Sequence, residues 1–253
     1  MEAAERRYLR LADRVLAVSE TDRDAFAAFL SAEKLTVIPT GVDVEYFQPL
    51  AGEELPNSLV FTGSMDWLPN EDAILYFADA ILPLIREHSP EVFLDVVGRN
   101  PSRKLQALAE SEKSIRLTGW VDDIRPFLGR GSVCIVPLRI GGGTRLKIYE
   151  AMAAGKAIVS TSVGAEGLDV HHGRDIALAD EPRAFAEAIL MLLENTDVRK
   201  RYERAAADLA ARYDWSAVAA GFEEVLERVA RQAALRSAEY VPARRVAWQS
   251  SED

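Results

Sequence analysis

Three consecutive glycines, Gly141, Gly142 and Gly143, run directly into Thr144, Arg145, Lys147 and Glu150. Glycine lets the backbone approach a ligand closely, and free N–H groups at a helix entrance cradle anions. Thr144 is a good N-cap type, because its hydroxyl accepts from a first-turn N–H. It is expected to open a helix that ends at Gly155. Arg145 and Lys147 then fall in the first turn, where the helix already carries partial positive charge. A bound anion removes that mismatch, so the stretch reads as a phosphate or diphosphate site. Glu150 lies two turns in, and helical side chains lean toward the N-terminus. Its carboxylate is placed to accept from hydroxyls beside the phosphates, as on a ribose. The blander reading is a flexible turn followed by a surface Lys147–Glu150 pair worth about 0.2–0.5 kcal/mol. The loop alone does not separate the two.

Other reactive residues carry less. His171 and His172 are adjacent in an expected surface loop and read as a solvated turn. Asp43-Val44-Glu45 sits in a connector, and Asp122 is expected to cap a short helix through Leu128, so neither reads as a metal-binding D-x-D motif. No residue stands out as a general base. No G-x-G-x-x-G follows the first strand at Leu59, which argues against a nicotinamide dehydrogenase.

The 253 residues are 49% hydrophobic, enough for a sizeable core. Forty acidic against 30 basic residues give a net charge of -10, the wrong sign for a nucleic-acid binder, so any phosphate must be held by a local site. Cys134 is the only cysteine and reads as a small core residue. It permits no disulfide within the chain and suits a reducing compartment. MEAAERRYLR is too charged for a signal sequence, and no apolar run has the length of a membrane span. A cytoplasmic protein is expected, with attachment to the inner face of the membrane left open.

These residues need elements to hold them. Residues 1 to 30 read as helix, short strand (Val15 to Val18) and a second helix after Ser19 or Thr21. A strand at Leu35 to Ile38 and a Pro- and Gly-rich connector follow. Strands are then expected at 59–62, 92–97, 114–119, 133–137, 157–161 and 176–179. Helices are expected at 70–88 (kinked at Pro83), 102–110, 181–194, 196–212 and 215–236. Strands alternating with helices imply an α/β, doubly wound parallel sheet of Rossmann-like type. Such sheets bind ligands at the carboxyl ends of their strands. Gly63, Gly98 and Gly141 to Gly143 all follow strand ends and should share one edge, which favours the phosphate reading.

The run KIYEAMAAGKAIVSTSVGAEGLDV resembles the signature of the family 4 (group 1) glycosyltransferases. FTGSMDWLPNEDAILYFADAILPLI, DVVGRNPS, IRLTGWVDDIRPFL and VPLRIGGGTRLKIYEAMA are similar to a bacterial surface-polysaccharide branch of it. The resemblance covers about residues 10 to 235. It implies a GT-B enzyme with two Rossmann-like domains and a cleft between them. This chain would be mainly the C-terminal, nucleotide-sugar-binding domain, a piece of a longer protein. Residues 1–48 would be the remnant of the acceptor domain and connector, 49–236 the donor domain with its C-terminal helices, and 237–253 a tail.

Carried over by position, Glu150 would bind the ribose. Gly63, Ser64, Arg99, Gly141, Gly142, Gly143, Thr144, Arg145 and Lys147 would face the diphosphate or sugar, and Trp120 with Val121 the base. Two departures stand out. Relatives often carry a glutamate eight positions before the ribose glutamate, where this chain has Gly142. Many also carry an arginine and a lysine near Ser64 and Asn70; Arg145 and Lys147 are candidates to supply that charge. The implied activity is a retaining, metal-independent transfer of sugar from a nucleotide-diphosphate donor to a glycan or lipid-linked acceptor in surface-polysaccharide synthesis. It needs no cofactor beyond the nucleotide sugar and no nucleic acid. A non-catalytic nucleotide-diphosphate-binding module and a GT-B sugar-nucleotide epimerase remain as alternatives. The last helix is expected to cross back to the acceptor domain, leaving apolar surface that self-association would cover.

Overall fold

The computed structural model describes residues 2–50 and 52–239. Most of the tail expected at 237–253 lies outside them. Six parallel strands form the main sheet: β3 (Ser58–Thr62), β4 (Phe93–Val97), β5 (Ile115–Gly119), β6 (Val133–Val136), β7 (Ala157–Ser160) and β8 (Ala177–Leu178). Their order is β5-β4-β3-β6-β7-β8. The central strands β3, β6 and β7 are buried at every position. Covered on both faces, they read as continuous apolar runs rather than alternating ones. The chain winds outward from β3 through β4 to β5, then returns to β3's other side as β6. A crevice therefore opens between the carboxyl ends of β3 and β6, where ligands settle in such sheets.

The helices α3 (Leu68–Tyr76), α4 (Leu82–Arg86), α5 (Arg103–Ser111), α6 (Arg125–Arg130), α7 (Leu146–Ala153), α8 (Pro182–Glu194) and α9 (Thr196–Ala211) accompany the sheet. Phe61, Phe77, Leu94, Ile135, Ile148, Ile158 and Phe185 are fully enclosed in one core. The single long helix expected at 70–88 is broken. Over Phe77–Ile81 its hydrogen bonds widen by one residue, and the Leu82 N–H reaches back to the Phe77 carbonyl. Pro83 explains this, since it has no N–H to return to residue 79 and its ring would press on that carbonyl.

Before the sheet come α1 (Glu2–Leu11), β1 (Val15–Ala17), α2 (Glu20–Ala27) and β2 (Leu35–Val37). β1 and β2 pair in parallel as a two-stranded sheet. Ser19 caps α2 by accepting from the Asp22 N–H at 3.0 Å. The final helix, α10 (Trp215–Glu239), returns to this N-terminal unit. Val42 N–H donates to the Tyr213 carbonyl at 2.8 Å, and Trp215 N–H to Val42 at 3.1 Å. Gly221 lies close to Ile38. Trp215, Phe222, Leu226, Leu16 and Val18 remain exposed around this unit.

Candidate functional site

The loops after β3 and β4 are zipped together. Gly63 N–H donates to the Val97 carbonyl at 3.0 Å, and Met65 N–H to Arg99 at 2.9 Å. A Cβ on Gly98 would stand 1.7 Å from the Gly63 oxygen, so only glycine allows this approach. Beside these loops is a hollow of about 290 Å³ walled by Gly63, Ser64, Arg99, Trp120, Val121, Lys147 and Glu150. Seven of the residues singled out from sequence thus meet at the carboxyl edge, contributed by four separate segments. Thr62, Val97, Gly98 and Ile124 complete the wall. Sequence reasoning placed Gly98 at this edge but not as a wall of the site, and it missed the other three.

Lys147 and Glu150 rise from the same face of α7. The Lys147 ammonium lies 4.1 Å from the Phe61 ring centroid and donates to Asn70 Oδ1 at 2.8 Å. Burial pushes it down to about 7. Burial also raises Glu150, with Lys147 pulling the other way. Arg99 Nε donates to Ser64 Oγ at 2.9 Å, and that hydroxyl donates to Asp66 at 2.6 Å. The Ser64 hydroxyl, with Asn100, holds Asp66 below the usual carboxylate range. Trp120 is 68% exposed, a free aromatic face at the rim.

The glycine run is arranged differently from expectation. α7 begins at Leu146, not Thr144, because Arg145 has φ -95° and ψ 86°, outside the helical region. Thr144 therefore caps nothing, and its Oγ1 is buried without a hydrogen-bond partner. Arg145 is 5% exposed and folds back, donating from Nη1 to the Gly142 carbonyl at 2.7 Å beside the Trp67 ring. Its Nε and Nη2 have no partner. Gly141, Gly142 and Gly143 are exposed and do not wall the hollow.

Other candidates resolve into structural roles. Asp123, not Asp122, steadies α6: its Oδ1 accepts from the Arg125 N–H at 2.9 Å. Asp43 accepts from the Tyr46 N–H at 2.8 Å in a turn. His172 Nδ1 accepts from Leu178 N–H at 2.9 Å, and His171 lies beside Arg174. Cys134 is buried and pushed up to about 12, so it stays a thiol. Among the described residues, no helix is long and apolar enough to cross a membrane. A second hollow, about 540 Å³, lies on the other face of α7. It is bounded by the ends of β1 and β2, Asp169, and Tyr149 stacked on Tyr213 at 4.6 Å.

Comparison with known proteins adds an independent line. The profile described as "Glycosyl transferases group 1" matches residues 56–195, and "Glycosyltransferase Family 4" matches residues 1–46. A phosphatidyl-myo-inositol mannosyltransferase of Mycobacterium leprae is 33% identical over 202 residues, 76% of this chain and 53% of that protein. The chain thus spans about half the length of the curated relatives it matches. Among solved structures, a sucrose-phosphate synthase from Thermosynechococcus elongatus superposes with a TM-score of 0.75 at 20% identity. That match covers 90% of this chain and 61% of the synthase. Anabaena HepE in complex with UDP gives 0.71 at 19% identity, covering 88% and 68%. Both share the fold.

Proposed function

The chain belongs to the group 1 glycosyl transferases, and from that premise we propose that it holds a nucleotide-diphosphate sugar for transfer to an acceptor hydroxyl. The observation that carries this is the convergence of Lys147, Glu150 and the Gly63 turn on one hollow at the point where the sheet reverses direction. A diphosphate fits the side of Lys147, ribose hydroxyls fit Glu150, and a base fits the Trp120–Val121 rim. As the sugar–phosphate bond breaks, negative charge grows on the leaving diphosphate. Lys147, Arg145 and the N–H groups of residues 141–144 would stabilise it without a metal. Stereochemistry would be retained, with the acceptor hydroxyl as nucleophile.

The acceptor domain would be represented here by residues 1–48 alone, with 49–236 as the donor domain and 237–253 as a tail. A glycan or lipid-linked acceptor in bacterial surface-polysaccharide synthesis fits the sequence resemblance. The mannosyltransferase relative is named for a lipid acceptor, which suits work at the inner face of a membrane. The exposed apolar side chains on α10 and β1 suit cover by missing acceptor-domain structure or by a second copy. Gly142, standing where relatives often carry a carboxylate, favours one second reading: a module that binds the nucleotide without turnover.

A thermal-shift screen of nucleoside diphosphates and nucleotide sugars tests the proposal. A ligand at a hundred times its Kd adds about 2.7 kcal/mol to stability, a clear rise in Tm. No response to any diphosphate would defeat it. Binding with no product on any acceptor would select the module reading, and product without acceptor an epimerase.

A further inference from the structure

Asn70 sits in the first turn of α3 and is 2% exposed. Its amide works in two directions. Nδ2 donates to the Ser64 carbonyl at 2.8 Å, and Oδ1 accepts from Lys147 Nζ at 2.8 Å. A Cβ on Gly63 would lie 2.7 Å from Asn70 Nδ2 and 2.8 Å from Lys147 Nζ, so the turn rests directly on this pair. The ammonium has three donors, and among the described residues Asn70 is its one hydrogen-bond partner. Also around it are the Phe61 ring of β3, the neutral Cys134 thiol of β6, Arg145 just before α7 and Glu150 within it.

We propose that Asn70 is a positioning residue for donor binding, holding the Lys147 side-chain nitrogen beneath the Gly63–Ser64 turn so that an incoming diphosphate meets a donor already aimed at it. This rests on the donor-site reading above. The choice of an amide matters. A carboxylate would neutralise Lys147 and compete with the phosphate. An aliphatic side chain would release both the ammonium and the Ser64 carbonyl. A neutral amide orients the nitrogen and leaves the counter-charge to be supplied by the ligand.

The test is calorimetric titration of UDP and GDP at pH 8 in two buffers of different ionisation enthalpy, which counts protons taken up on binding. Burial holds the empty-site lysine near 7, so at pH 8 a diphosphate that restores its charge draws in a large part of a proton per nucleotide. In Asn70→Asp the new carboxylate keeps Lys147 charged beforehand. Uptake should fall toward zero and affinity about tenfold, the scale of one unit of differential interaction. If neither nucleotide binds the wild type, the donor-site reading fails. If one binds and Asn70→Asp matches the wild type in uptake and affinity, the role of Asn70 alone is overturned. Should Asn70→Asp not fold, Asn70→Ser decides. Its shorter acceptor should weaken binding while uptake persists, and unchanged affinity would overturn the assignment.

Discussion

The hollow beside Gly63 and the glycine run at 141–143 follow neighbouring strands, β3 and β6, yet they are built in opposite ways. At the hollow, backbone touches backbone and a half-buried lysine is already held in place. At the glycine run there is open space: a Cβ on Gly142 or Gly143 would touch nothing within 4 Å. Its cation, Arg145, is folded onto the loop's own carbonyl. One region is set before ligand arrives; the other has room to move when it does. Preorganised groups should therefore carry more of the binding than the more conspicuous glycines.

The largest effect should come from Gly98→Ala. Its new methyl would meet the Gly63 carbonyl with no flexible atom to yield, so a loss of about 3 kcal/mol in urea unfolding is expected. A loss below about 1 kcal/mol would mean the two loops are not locked.

Next is Lys147→Met. Loss of a charged hydrogen bond worth about 1.5–3 kcal/mol should weaken nucleotide binding roughly ten- to a hundredfold. Stability should move the other way. Burial lowers this lysine from 10.5 in the open chain to about 7. Between those values the unfolded chain binds more protons, so the lysine destabilises the fold in full below pH 7. That burden fades as pH rises toward 10.5. The variant should gain more stability over the wild type at pH 6 than at pH 9, read from unfolding midpoints at both.

Arg145→Ala should weaken UDP binding by about threefold in calorimetry, less than Lys147→Met, because its guanidinium must first leave Gly142. Unchanged affinity would remove it from the site. The smallest effect belongs to Gly142→Ala, expected within about 0.5 kcal/mol of wild-type stability. A larger loss would show that the loop is packed rather than open.

Much of this is legible in the sequence alone. LVF, VCIV and AIV are apolar throughout because both faces of the central strands are covered, and each is found where its run lies. Gly63, Lys147 and Glu150 could be placed because strand ends and helical spacing fix them. What escaped depends on contacts between distant segments. Nothing near Thr144 announces that Arg145 turns out of the helix, and the choice of Asp123 over Asp122 rests on a single local turn. Asn70 stands 77 residues from Lys147, so its hold on the ammonium is visible only once α3 and α7 are side by side.

The most direct test of the central claim is a crystal structure of this chain with the nucleoside diphosphate that binds it most tightly. Phosphate oxygens within hydrogen-bond reach of Lys147 Nζ, with ribose hydroxyls on Glu150, is the expected result. Nucleotide lodged instead in the hollow between Tyr149 and Asp169, with Lys147 still engaged by Asn70 alone, would contradict it.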